Sequence, residues 1–234
     1  MIKDNVVKVQ SDIAAACRSA GRDPLEVALV AVTKFVPVEV IAEAIAAGIE
    51  HIAENRVQEA QKKFPALLAQ NPRVTGHIIG HLQTNKVKDA LAVAHLIQSV
   101  DSARLADEID KQAAKLNKTA DILVQVNTAR EPQKSGAAPE EALGLIEYIS
   151  KLEHVRVLGL MAMAPLTDDE GMIRRAFSDL RDIRDNVLKS FSGHPKVNMK
   201  YLSMGMSSDM RIAIEEGSNM VRVGSMIFHQ KGTP

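Results

Sequence analysis

Two groups of residues in this chain are equipped for chemistry. In Met220-Val-Arg-Val-Gly-Ser225 an arginine stands two residues ahead of a Gly-Ser turn, and about twenty residues upstream lies a matching element, Tyr201-Leu-Ser-Met-Gly-Met206. Two strand ends that close in small, hydroxyl-bearing, glycine-containing turns offer backbone N–H groups and serine hydroxyls. Dianionic phosphate oxygens are held best by such convergent donors. Near the other end, the apolar run Val27-Ala-Leu-Val-Ala-Val-Thr33 finishes on Lys34. A charged amine closing a buried strand is costly unless it acts. A phosphate pocket and a strand-end lysine together suggest a phosphorylated aldehyde held as a Schiff base.

These residues need a scaffold that brings distant strand ends together. Apolar runs of β type recur at 27–34, 51–55, 74–80, 96–101, 120–127, 156–165, 198–205 and 219–225. Amphipathic stretches follow at 37–48, 57–69, 85–94, 102–117, 138–152, 170–191 and 207–217, and a further helix at about 2–20 precedes the first strand. Strands apolar on both faces that alternate with helices imply an α/β protein with a parallel sheet. Eight of them imply a closed (β/α)8 TIM barrel, expected as one domain over residues 1–234. Asp101-Ser102 is expected to cap the helix at 102–117, Gly48 to end the one begun after Pro37, and Pro139 with Glu140 and Glu141 to open the helix at 138–152.

Composition excludes several partners. Lys plus Arg and Asp plus Glu are both 29 in 234 residues, so no net charge draws the chain to nucleic acid or an anionic membrane. Aromatic residues are 3% and Trp is absent, which leaves little for base stacking. No apolar run is long enough to cross a bilayer, and Met1-Ile-Lys-Asp-Asn5 lacks the pattern of a signal peptide. The single cysteine, Cys17, cannot form an internal disulfide, so a cytoplasmic location is expected.

Barrel enzymes carry function at the C-terminal ends of their strands, and polar residues gather there in this sequence: Lys34, Asn55, His77, Asn127, Ser203, Arg222, Gly224 and Ser225. His77 and His81 are four apart but flank Gly80, and with no third ligand in sequence a metal site is not expected. Lys134 is expected to be a solvated loop lysine, and Met161, Met163, Met204 and Met206 to pack the pocket.

Ala31-Val-Thr-Lys34, Ala53-Glu-Asn-Arg-Val-Gln-Glu59, His77-Ile-Ile-Gly80 with Leu82-Gln-Thr-Asn-Lys86, and Gln125-Val-Asn127 with Lys134-Ser-Gly136 recur in order in one known family. So do Gly159-Leu-Met161, Leu202-Ser-Met-Gly-Met-Ser207 with Asp209-Met210, and Gly217 followed by Met220-Val-Arg-Val-Gly-Ser225. Over about residues 27–228 the chain resembles the YggS/PROSC family of pyridoxal 5′-phosphate (PLP) homeostasis proteins. That family is similar in fold to the N-terminal barrel of alanine racemase, the PLP fold type III. The sequence departs from the family at Gly76, where a tryptophan is common, which bears on side-wall packing.

The resemblance implies PLP as cofactor, with Lys34 forming the internal aldimine, its neutral amine favoured by desolvation. Arg222 would face the pyridine nitrogen, and Ser203, Gly224 and Ser225 would hold the phosphate. Asn55, His77 and Met204 would line the cofactor. A charged guanidinium at the ring disfavours its protonation and makes a weak electron sink. Racemases of similar fold take a second base, a tyrosine, from a further β-domain. Here the sequence runs about nine residues beyond Ser225, and Tyr148 and Tyr201 fall away from the expected mouth. The resemblance therefore implies a non-catalytic protein of intracellular PLP homeostasis and amino-acid balance, with PLP-dependent apoenzymes as recipients; separately, the sequence shows no evident exposed apolar helix face, so a monomer is expected. The alternatives are a weak PLP-dependent amino-acid racemase, and a barrel aldolase using Lys34 on a sugar phosphate.

Overall fold

The strands of this chain are largely apolar because most of their residues are buried, on one face inside the barrel and on the other beneath the helices. In the computed structural model, which describes residues 1–131 and 133–228, they are β1 (Ala28–Val32), β2 (His51–Glu54), β3 (Thr75–Ile78), β4 (Leu96–Val100), β5 (Ala120–Gln125), β6 (Val155–Met161), β7 (Val197–Ser203) and β8 (Met220–Val223). They pair in parallel, each with the next and β8 with β1, and close into a barrel. Helices α1 (Ile2–Ser19), α2 (Val38–Ala46), α3 (Val57–Gln70), α4 (Val87–Val93), α5 (Ala103–Lys115), α6 (Ala142–Ser150), α7 (Glu170–Ser190) and α8 (Met210–Glu215) alternate with the strands, and α9 (Ser225–Phe228) follows β8. The expected TIM barrel is the fold.

Alternation divides the apolar residues into two cores. Val30, Ala53, Leu96, Leu123, Met161 and Met220 cluster together inside the barrel. Their strand neighbours, among them Ala31, Ile52, Ile97, Ile122, Leu160 and Val221, belong to the larger core beneath the helices. Phe64 and Phe177 are fully buried in that outer layer, where truncation to alanine would cost about 3–5 kcal/mol. At Gly76, a Cβ would stand 2.9 Å from the Phe64 ring, so Phe64 takes the space a larger side chain there would need.

Helix α1 buries Ile2, Val6, Val9, Ile13 and Cys17 along one face and packs on α8 and α9. Asn5 Nδ2 donates to the Ile227 carbonyl at 2.8 Å, and Arg22 donates to the Ile214 and Ser218 carbonyls at 2.8 and 2.6 Å. The segment ahead of the barrel thereby braces the element that carries Ser225.

Several boundaries differ from expectation. β1 ends at Val32 and β6 at Met161, short of residues 34 and 165, because the chain turns out of the sheet at the mouth. α6 begins at Ala142, not 138: Ala137 pairs with Val126 and donates to the Gln125 carbonyl at 2.9 Å, which keeps that segment extended. Ser102 occupies the N-cap of α5 but its side chain makes no capping bond, whereas the Asp169 carboxylate accepts from Gly171 N and Met172 N at the start of α7. Gly48 follows α2 at φ 103, as a helix-ending glycine does.

Candidate functional site

Inside the barrel, β8 carries Met220 in the apolar cluster and, two residues on, Arg222. The guanidinium is buried, at 4% exposure. It donates to Ser203 Oγ at 2.6 Å and to the Ala162 carbonyl at 2.9 Å. The nearby carboxylates of Glu215 and Glu216 do not reach it and bind Arg174, Arg181 and Arg211 instead. Among the described residues no carboxylate pairs with Arg222. Burial pushes its pKa down to about 10, with the Asp209 carboxylate opposing. Burying a guanidinium without a paired carboxylate is costly.

Arg222 is one end of a buried chain across the barrel. Ser203 Oγ lies 2.7 Å from Gln98 Oε1, Gln98 Nε2 lies 2.7 Å from His77 Nδ1, and His77 Nε2 lies 3.1 Å from His51 Nδ1. An arginine can only donate, which sets the sense of every later bond. Ser203 accepts from Arg222 and donates to Gln98 Oε1. Gln98 Nε2 donates to His77 Nδ1, and His77 Nε2–H donates to His51 Nδ1. Burial lowers the pKa of His77 well below the usual histidine value, and lowers that of His51, so the neutral rings this sense requires are favoured.

Above Arg222 the rim is built from two turns. Gly205, at φ 96, turns the chain out of β7, and a Cβ there would lie 2.6 Å from that of Ala213. The register of β1 on β8, Ala31 with Val223, sets Gly224 beside Val32, and a Cβ on Gly224 would stand 3.1 Å from the Val32 carbonyl oxygen. Glycine thus lets the β8 turn close against β1. Beyond these glycines, Ser225 Oγ lies 3.1 Å from Ser207 Oγ in an exposed pair. The first N–H groups of α9 have no intrahelical partner and add donors beside them. Asp209 is buried next to this rim and accepts from Met206 N at 2.5 Å; burial pushes its carboxyl up, against the pull of that N–H and of Arg222.

Lys34 is exposed, in the turn after β1, so the burial expected of it is not observed. Its side chain has no hydrogen-bond partner among the described residues. The turn that carries it follows the C-terminal end of β1, which places it at the mouth. Phe35 beside it takes φ 63 and is 90% exposed. Beneath the turn lies a buried clamp: Lys63 Nζ donates to Glu54 Oε1 at 2.7 Å and to the Thr33 carbonyl at 3.0 Å, and Thr33 Oγ1 donates to Glu54 Oε1 at 2.7 Å.

The structure redistributes the remaining expectations. Asn55 is exposed just past β2, with no hydrogen-bond partner for its side chain among the described residues. Both ring nitrogens of His77 are engaged below the mouth, which leaves none for a ligand, and its neighbour is His51, not His81. Ser203 is fully buried with its hydroxyl spent between Gln98 and Arg222, so it supports the arginine and is not a rim donor. Met204 points into the outer core, away from the barrel interior. Lys134 is not freely solvated: it donates to Glu131 Oε1 at 2.7 Å and to the Ala164 carbonyl at 3.0 Å, beside a cavity of about 410 Å³ at the mouth. Tyr148 donates to Asp107 on the outer helices, and Tyr201 lines a cavity at the opposite end of the barrel. Sequence reasoning missed Ser207, although it sits in the Leu202–Ser207 motif, and Gln98, a lone amide in an apolar strand.

Comparison with known proteins places the fold and the family. Residues 8–231 match the family model described as alanine racemase, N-terminal domain. A pyridoxal phosphate homeostasis protein of Aquifex aeolicus is 40% identical over 228 residues, covering 97% of each chain. The crystal structure of an unknown protein from Bifidobacterium adolescentis is 40% identical with a TM-score of 0.93, covering 97% of this chain and 94% of that one. PipY of Synechococcus elongatus, solved with PLP bound, is 33% identical with a TM-score of 0.84 over 98% of this chain and all of the other.

Proposed function

This chain belongs to the alanine racemase N-terminal domain family and, within it, to the pyridoxal phosphate homeostasis proteins; from that premise we propose that it binds PLP at the C-terminal mouth of its barrel and stores or delivers it without turning over a substrate. The observation that carries the reading is Arg222: a buried guanidinium with no carboxylate partner among the described residues, held by one hydroxyl and one carbonyl, keeps N–H groups in reserve for an acceptor. A pyridine nitrogen is such an acceptor.

The residues present fit the cofactor. Arg222 would donate toward the ring nitrogen and disfavour its protonation. Ser207, Ser225 and the first amides of α9 would hold the phosphate, with Gly205 and Gly224 keeping the rim clear. Asn55 stands beside the opening, and Ser203, Gln98 and His77 support the arginine from below. When bound, PLP supplies an aldehyde that condenses with an amine and releases water, and Lys34 Nζ is the amine at the mouth. The exposed lysine turn leaves that amine free to reach the aldehyde and to release it again.

Storage is supported over catalysis by two features. An unprotonated ring draws electrons weakly. Among the described residues neither tyrosine reaches the mouth to serve as a second base. The relatives bear the name of homeostasis proteins, not enzymes. We propose a monomer in the cytoplasm that serves amino-acid balance by passing PLP to apoenzymes; among the described residues no helix is long and apolar enough to cross a membrane. The test mixes PLP-loaded protein with a PLP-dependent apoenzyme and, separately, with D- and L-amino acids. Restored apoenzyme activity without steady-state racemisation is expected. Sustained racemisation that vanishes in Lys34→Ala would overturn the storage reading.

A further inference from the structure

A cavity of about 570 Å³ opens at the other end of the barrel, where β1, β2, β7 and β8 begin. That is within the usual range for small-molecule sites. His51, Lys200 and Tyr201 line it, and each brings a donor with no partner among the described residues. Lys200 Nζ lies 4.8 Å over the Tyr201 ring and pairs with no carboxylate among the described residues. Because His51 Nδ1 accepts from His77, the His51 proton sits on Nε2. Glu50 and Glu26 line the same cavity; Glu26 reaches only Arg22, at 4.0 Å, and Glu50 forms no ion pair among the described residues. The charges of Glu50 and Lys200 also act on His51, in opposite directions.

Charge decides the ligand class. A bare anion would meet two glutamates, and a bare amine would meet Lys200. We propose that this cavity is a second ligand site, taking a small zwitterion of the size and charge of an α-amino acid, its carboxylate on Lys200, Tyr201 and His51 and its ammonium toward Glu50. The site is wired to the mouth. A carboxylate accepting from His51 Nε2–H makes Nδ1 a stronger acceptor for His77, and the chain continues through Gln98 and Ser203 to Arg222.

The test is an NMR titration of the full-length apo protein carrying ¹³C-labelled histidine, with His51 and His77 assigned through His51→Gln and His77→Gln. Glycine should shift the His51 resonance saturably and His77 by a smaller amount, whereas acetate and ethylammonium at the same concentrations shift neither. Lys200→Met, at an exposed position, should weaken glycine at least tenfold without altering the melting temperature. No saturable shift, or acetate binding as well as glycine, would overturn the site; a His77 resonance that stays fixed would overturn the wiring. The readout needs no PLP, so failure here is separate from failure of the reading at the mouth.

Discussion

Arg222 lies on β8 and Lys34 just past the end of its partner strand β1, at one barrel mouth, yet the protein holds them in opposite ways. Arg222 lies within β8, buried, with its guanidinium fixed by two hydrogen bonds and a buried chain behind it. Lys34 lies past the end of β1, exposed and without a hydrogen-bond partner among the described residues, beside a phenylalanine at positive φ. An anchor binds best when its geometry is set before the ligand arrives, since ordering it later subtracts from affinity. An amine that must form and break a bond to its ligand has to move. The barrel supplies rigidity inside and freedom at the rim, with Arg222 paired to Val30 and Lys34 four residues further along the chain.

The contrast fails if the lysine turn lacks a rigid base. Lys63→Met would leave the Glu54 carboxylate buried without its cation, and should lower stability in denaturant melts by about 3–5 kcal/mol. Lys63→Met with Glu54→Leu should recover much of that; equal stability of the single and double variants would break the picture. On the anchor side, Arg222→Ala should weaken PLP by roughly 1.5–3 kcal/mol, about 10- to 150-fold in Kd by fluorescence titration. An unchanged Kd would remove the arginine from the site.

Acid probes the buried chain. His77 and His51 have folded-state pKa values below the usual 6.5. The unfolded chain therefore takes up protons first as pH falls. Their contribution to stability is complete above about pH 6.5 and is lost below it, down through the folded values. Asp209, raised by burial, gives the opposite slope, so the informative quantity is the difference between wild type and His77→Gln. Calorimetry from pH 8 to 5 should show a smaller acid loss in the variant; a larger one would contradict the neutral chain. The smallest effect is expected at the rim: Ser207→Ala should cost about 1 kcal/mol of PLP affinity, roughly fivefold, with no change in melting temperature.

The barrel was legible in the sequence because runs such as Val27–Thr33 and Ala120–Gln125 are apolar on both faces and alternate with helices eight times. Strand ends were less so. Whether Lys34 belongs to β1 depends on where the chain leaves the sheet, which pairing decides and periodicity does not. Lys34, Arg222, Gly224 and Ser225 could be picked out from type and spacing. Between Ser203 and Ser207 the sequence offers no choice: one is buried and one at the rim because β7 ends at Ser203 and Gly205 turns the chain. Gln98 was visible as a polar residue two positions after Leu96, but its partners come from β3, β7 and β8, which no local pattern reveals.

The central claim is a bond at Lys34, and it can be read directly. PLP is added to the full-length protein, the mixture is reduced with borohydride, and the digested protein is sequenced by mass spectrometry. The account predicts one phosphopyridoxyl label, on the peptide bearing Lys34, and none in Lys34→Ala even where PLP still binds. A label placed mainly on another lysine, or no label at saturating PLP, would contradict it.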